Sequence, residues 1–191
     1  MSFETLVLAS TALDAAQAVL QPWSRMTTTS RRPQHRAIQM AEALLARDWR
    51  QQLPVDITGL CDACRVGYAP AELDERIGAL LEWNVEKTGA RIVFNTCMSA
   101  AAQRHAIAQA LGKVLLGDVT ATQVARQGHE PRGFSEANEA AKLFALHALI
   151  PTYGMSLMTK QYPKMEALAA VYGVSTSLMA TRIITAHLSG R

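Results

Sequence analysis

The sequence has few charged residues, few cysteines and no long hydrophobic run. Charged residues make up 18% of the chain and the formal net charge at pH 7 is +3, so the strong positive charge typical of nucleic-acid-binding proteins is missing. Three cysteines are too few for a disulfide framework and suit a reducing compartment. No apolar run is long enough to cross a membrane, and Glu4 with no preceding basic residue argues against a signal peptide. We therefore expect a soluble, cytoplasmic protein.

The hydrophobic content of 49% predicts a globular protein with one substantial core. We divide the chain into three parts. Residues 1–36 contain an amphipathic helix (3–20) and a polar, basic connector, residues 37–151 form the main domain, and residues 152–191 form a C-terminal helical segment. Pro151 marks the second boundary, because proline cannot continue the preceding helix.

The basic connector holds Arg31, Arg32 and Arg36 and leads into a helix predicted over 33–50. A solvated loop is one interpretation of this cluster, and an arm that contacts nucleic-acid phosphates is the other. We favour the loop, because the cluster is short and has no aromatic residues between its arginines.

Hydrophobic periodicity predicts an α+β fold that is mostly helical. We expect a small, three-stranded antiparallel sheet packed on a central helix, and a C-terminal helical hairpin. The predicted strands cover 66–69, 77–84 and 91–95. One helix is predicted to begin after Asp56, and two more to cover 100–117 and 135–149. Two further helices are predicted in the tail.

Cys61 and Cys64 form a C-x-x-C pair, which can serve redox chemistry or supply half of a zinc site. No second C-x-x-C pair follows, and no strand and turn precede this one. Two cysteines at this spacing on a helix are therefore interpreted as small core residues.

The 100–117 helix carries polar residues at a spacing with chemical meaning. Gln109 and Lys113 lie one turn apart on one face, with Ala110 directly after Gln109. Zinc peptidases use this spacing as H-E-x-x-H, in which two histidines bind zinc and the glutamate acts as general base. Here the apolar frame of such a helix is present, whereas all three chemical positions differ.

The surrounding segments resemble the ImmA/IrrE family of small regulatory metallopeptidases. The family's core helix has the form R-F-T-I-A-H-E-L-G-H-x-L-L, and residues 104–116 have the sequence RHAIAQALGKVLL. A later family helix, E-x-x-A-N-x-F-A-x-x-L-L-M-P, resembles residues 138–151, which have the sequence NEAAKLFALHALIP. With the 53–57 segment and the 91–95 strand, the resemblance spans about 37–188. It implies a zincin-like core helix and a third metal-ligand position at Asn138.

The resemblance also implies that this chain has lost the peptidase chemistry. Gln109 is a poor neutral ligand, Lys113 as an ammonium has no lone pair, and Ala110 cannot act as a base. Glu139 is one residue from the ligand position, which rotates its side chain by about 100° on a helix. We therefore expect no metal and no cofactor. The residues that we expect to line a partner-binding groove instead are His105, Gln109, Lys113, Glu139 and Asn95.

Three functions follow from these observations. The first is an inactive regulatory protein that binds a partner, which by the resemblance is a helix-turn-helix repressor of a mobile element or stress response, or a larger assembly. The second is a metallopeptidase with displaced ligands that include His105 and His147. The third is a DNA-binding regulator that uses the connector arginines and the C-terminal helices. We favour the first, because the changed positions are those that catalysis needs.

Overall fold

A computed structural model describes residues 32–84, 89–117, 124–126 and 136–189 of the protein. The predicted first helix (3–20), Arg31, and Ser135 at the start of the predicted 135–149 helix lie outside these residues.

Helices and strands appear at most of the predicted places. The helices are α1 (Pro33–Asp48), α2 (Ile57–Ala63), α3 (Ala100–Leu116), α4 (Glu136–Leu149), α5 (Met155–Gln161), α6 (Met165–Tyr172) and α7 (Thr176–Ser189). The strands are β1 (Gly67–Ala71), β2 (Ile77–Asn84), β3 (Gly89–Asn95) and β4 (Val124–Arg126). The α+β, mostly helical fold class is therefore confirmed. The short helix α5 and the short strand β4 are additions that hydrophobic periodicity does not indicate.

Local capping residues explain where several helices begin and end. The side chain of Asp56 accepts a hydrogen bond of 2.9 Å from the Gly59 amide at the start of α2, as predicted. Ser99 accepts a hydrogen bond from the Ala102 amide at the start of α3, and Gly117 ends α3 with a φ of +74°. This left-handed conformation favours glycine, which has no Cβ to clash with the backbone.

The sheet is mixed and has the strand order β1-β3-β2-β4. β2 pairs antiparallel with both β3 and β4, whereas β1 runs parallel to β3. The predicted antiparallel sheet is thus wrong at β1. The physical reason is the strand order. β1 pairs with the edge of β3 that faces away from β2, and not with β2 itself, which follows it in sequence.

Helix α3 lies at the centre of the fold. It contacts β2 and β3 on one side and α1 and α4 on the other. Four apolar residues that form one face of α3 are all at most 4% exposed: Ile107, Leu111, Val114 and Leu115. Small residues on α4, among them Ala141, Ala145 and Ala148, are fully buried, and they allow the helices to approach closely.

The C-terminal helices α6 and α7 share the main core, since Leu168, Tyr172 and Met179 belong to the same buried cluster as the residues of α3. The chain turns by 96° between α6 and α7. The two helices of the C-terminal pair therefore meet nearly at a right angle. Gly173, with a φ of +62°, makes the turn. In the described part of the chain no single helix is long and apolar enough to span a membrane. Helices α6 and α7 taken together, despite the bend between them, would be long and apolar enough.

Candidate functional site

Helices α3 and α4 approach most closely at Gly112. A Cβ atom added to Gly112 would lie 2.8 Å from Cδ1 and 3.0 Å from Cβ of Phe144, which is fully buried on α4. Only glycine fits this distance without a shift of one helix. Gly112 and Phe144 are also two of the positions at which the sequence resembles the ImmA/IrrE pattern, so the packing explains why those residue types occur there.

The four positions to which the resemblance assigns the metal chemistry lie on the same two helices. Ala110 is fully buried and Lys113 is 5% exposed on α3, while Gln109 on α3 and Asn138 on α4 are half-buried. Burial of Lys113 is unusual, because a lysine ammonium is rarely removed from water without a compensating interaction.

These four residues do not fit a zinc ion. Catalytic zinc takes three nitrogen, sulfur or carboxylate ligands and keeps one open position. The methyl group of Ala110 offers no donor atom, and a lysine in its ordinary ammonium form, as at position 113, has no lone pair to donate. Within residues 32–84, 89–117, 124–126 and 136–189, no three His, Cys, Asp or Glu side chains group closely enough to hold a metal ion.

His105 lies on α3 one turn before Gln109, near Lys142 of α4. Burial and the positive charge of Lys142 lower the pKa of His105 below its usual value. Lys142 also donates a hydrogen bond of 3.0 Å to Glu139, and both side chains are about 40% exposed. An ion pair this exposed contributes little stability.

Asn95 has a structural role in place of the predicted groove contact. Its side chain is fully buried at the end of β3. The amide nitrogen donates to the carbonyl oxygens of Leu73, Asp74 and Ile77 at 2.9 to 3.2 Å. The amide oxygen accepts hydrogen bonds from the backbone of Leu73 and Cys97. Asn95 thus holds the connection between β1 and β2, and it is not accessible to a partner.

The rebuilt metal site with His105 and His147 does not assemble in the structure. His147 faces Glu42 of α1 with 4.0 Å between Nδ1 and Oε1, whereas His105 lies near Lys142. Burial and the Arg182 charge lower the pKa of His147 to about 4. The two histidines therefore occupy different surroundings, and neither belongs to a group of three metal ligands among the described residues.

The structure describes two of the three connector arginines. Arg31 lies outside the described residues. Arg32 is exposed directly before α1, and Arg36 is half-buried one turn later. The Nε atom of Arg36 is fully buried and has no hydrogen-bond partner in the described part of the chain, so this side chain does not extend freely toward a phosphate backbone. Arg182 of α7 is 3% exposed and is likewise unavailable to DNA.

The C-x-x-C pair lies in the core. Cys61 and Cys64 are at most 2% exposed. Burial is the main cause that raises the pKa of each thiol to about 12. Thiols with such a pKa are protonated at neutral pH and are poor nucleophiles and metal ligands.

Two arginines, the half-buried Arg104 and the buried Arg182, make structural contacts that the sequence did not indicate. Arg104 donates to the carbonyl oxygens of Val55 (2.7 Å) and Gly173 (3.1 Å) and so ties α3 to the α6–α7 turn. Arg182 donates to the Ile150 carbonyl at 3.1 Å and to Oγ1 of Thr152 at 2.7 Å. For Arg104, its match to the first residue of the family's core-helix pattern is a signal that sequence reasoning could have used.

A protein-family model matches a large part of the chain. Residues 70–183, which are more than half of the chain, match the model described as the IrrE N-terminal-like domain of a peptidase family. The match includes α3 and α4 and continues through most of α7. No curated protein matches the chain.

Proposed function

Since the chain belongs to the IrrE N-terminal-like domain family, we propose that it is a pseudo-peptidase that regulates a partner by binding it without cleavage. The partner is a transcriptional repressor of the helix-turn-helix class, from a mobile element or a stress response, and the two proteins meet in the cytoplasm. The proposed role keeps the family's fold and removes its chemistry, which is possible because fold does not fix activity.

One observation carries this proposal. A buried lysine, Lys113, occupies a metal-ligand position on a helix whose packing against α4 is otherwise retained at Gly112 and Phe144. A positive charge there repels a divalent cation. With Ala110 at the position of the general base, water activation by the usual route has no residue to perform it.

The surface across α3 and α4 supports a role in binding. His105 and Gln109 on α3 and Glu139 and Lys142 on α4 are half-buried or partly exposed. They offer hydrogen-bond donors and acceptors and one charge of each sign. Such mixed polar groups give an interface specificity rather than bulk affinity.

The test is recovery of the partner from host cells that express tagged full-length protein and are crosslinked before lysis. We expect mass spectrometry to identify an intact repressor with the wild type. Glu139→Lys should abolish recovery with little change in melting temperature, because this side chain is about 40% exposed. Glu75→Lys, at an exposed position of the β1–β2 connection, is the matched control and should recover the partner normally.

Two results would contradict the proposal. Recovery of a partner cleaved at a defined site only when the protein is present would indicate peptidase activity. Equal recovery by Glu139→Lys and the wild type would show that the α3–α4 surface is not the binding site.

A further inference from the structure

A cavity of about 330 Å³ lies between the end of α1 and the connection from α4 to α5. We name it the Trp49 cavity. Its volume falls within the range of small-ligand sites, and it is separate from the α3–α4 surface. Its lining residues include Glu42, Trp49, His147, Pro151, Thr152 and Tyr153.

Two hydrogen-bond acceptors face each other in this cavity. Nδ1 of His147 is fully buried and finds no hydrogen-bond partner among the described residues. The nearest carboxylate oxygen, Oε1 of Glu42, is 4.0 Å away, which is too far for a hydrogen bond. His147 itself is only 9% exposed, so burial and the Arg182 charge lower its pKa to about 4 and keep the ring neutral at pH 7. A buried polar atom without a partner needs an explanation.

An N–H donor between the two groups would satisfy both. A neutral imidazole with its proton on Nε2 accepts at Nδ1, and the Glu42 carboxylate accepts at Oε1. A donor that also carries positive charge is favoured further, because the Glu42 side chain is 56% exposed and presents its charge at the mouth.

Aromatic rings at the mouth favour the same chemistry. Trp49 and Tyr153 form an edge-to-face pair with 6.4 Å between ring centroids. A hydrogen bond of 2.8 Å from Nε1 of Trp49 to the Gln52 carbonyl holds the indole, and Tyr153 is 69% exposed although it is large and aromatic. Cations bind to the faces of such rings.

The positive charge of Arg182 limits how far a cation can enter the Trp49 cavity. Its guanidinium donates to Thr152 and to the Ile150 carbonyl behind the cavity wall, and its charge repels a second cation at the inner end. The charge of a bound cation therefore lies near Glu42 and the two rings, with one of its N–H groups directed inward at Nδ1 of His147. The nearby Arg47 and Asp48 form an ion pair at 2.7 Å and largely cancel each other's charge.

We propose that the Trp49 cavity binds a guanidinium or alkylammonium group through Glu42, His147 and the Trp49–Tyr153 ring pair. The group is the side chain of an arginine or lysine in a polypeptide, or a free amine of the same chemistry. This site is independent of the proposed function, because it shares no residue with the α3–α4 surface.

The test is an NMR titration of ¹⁵N-labelled full-length protein with N-acetyl-arginine amide, with agmatine, and with N-acetyl-citrulline amide as the neutral isostere. The Trp49 indole signal, assigned with Trp49→Phe, is the readout. We expect saturable shifts with both guanidinium probes and at least about tenfold weaker binding of citrulline. Tighter binding of N-acetyl-arginine amide than of agmatine would point to a polypeptide side chain, and the reverse to a free amine. Either order supports the site.

Variants test the contributions of the Glu42 charge and of the Tyr153 ring to binding separately. Glu42→Gln should weaken binding of N-acetyl-arginine amide by about tenfold, and Tyr153→Ala should weaken it by about threefold or more. Glu75→Gln and Tyr68→Ala change the same residue types at exposed positions outside the cavity and should bind as the wild type does. Equal binding of citrulline and arginine probes, or unchanged binding by Glu42→Gln, would overturn the proposal.

Discussion

Replacement of Gly112 by alanine tests the close contact between α3 and α4. Two effects oppose each other. Alanine in a helix interior is more favourable than glycine by about 1 kcal/mol. Against this, the new Cβ would lie within 3.0 Å of three Phe144 atoms, one of which is its Cβ. Because that Cβ is bonded directly to the α4 backbone and the ring is fully buried, a side-chain rotation cannot relieve the contact.

The steric term should prevail. Overpacking of a tight core contact costs about 1–3 kcal/mol, so we expect a net loss of about 1–2 kcal/mol in the free energy of unfolding. For a chain of this size such a loss lowers the melting temperature by roughly 2–8 °C. Circular dichroism measures both quantities, the free energy from urea unfolding and the melting temperature from thermal unfolding.

Two comparisons make the Gly112→Ala result specific. Gly67→Ala is the matched control, because its nearest new contacts would be 3.7 Å long, and its stability should be equal to the wild type or slightly higher. Addition of Phe144→Leu to Gly112→Ala should cost less than the sum of the single changes, because the smaller side chain makes room. A Gly112→Ala variant that is as stable as the wild type would refute the packing argument.

Three further predictions concern buried polar groups and thiols. The pKa of His147 in the folded protein is about 4 instead of 6.5, so the unfolded chain binds a proton first as the pH falls. The free energy of unfolding should therefore drop by roughly 2–3 kcal/mol between pH 7 and pH 4.5, relative to His147→Gln. Equal pH slopes for the two proteins in urea unfolding would argue against this. Asn95→Asp keeps the acceptor atoms but places a carboxylate against three carbonyl oxygens; a loss of about 2–4 kcal/mol is expected, and a loss below about 0.5 kcal/mol would contradict the structural role. Native protein should expose one thiol to Ellman's reagent at pH 8, that of Cys97, since Cys61 and Cys64 are buried; rapid reaction of all three would contradict this burial.

Much of the fold is predictable because local chemistry determines it. Asp56 and Ser99 cap helices, Gly117 supplies a left-handed end, and the buried face of α3 repeats every three to four residues. Helix α5 is different. It has no fully buried residue, and a left-handed Gly154 precedes it, so hydrophobic periodicity gives no signal there.

Interactions between distant parts of the chain are not predictable in this way. The parallel pairing of β1 with β3 depends on which sheet edge is open to β1. Asn95 resembles an accessible polar residue at a strand end, and only the fold of the β1–β2 connection around it shows that it is buried. The approach of His147 to Glu42 joins α4 to α1, which no local pattern reveals. The glycine at 112 was predictable as part of the α3 pattern, but the reason for it, the Phe144 contact, was not.

The most direct test of the pseudo-peptidase proposal is the zinc content of untagged protein, purified without chelator and measured by plasma mass spectrometry. A variant with Gln109→His, Ala110→Glu, Lys113→His and Asn138→Glu restores the family's residues and serves as the positive control. We predict no stoichiometric zinc in the folded wild type and zinc in the restored variant. One zinc per wild-type chain, bound without these ligands, would contradict the proposal.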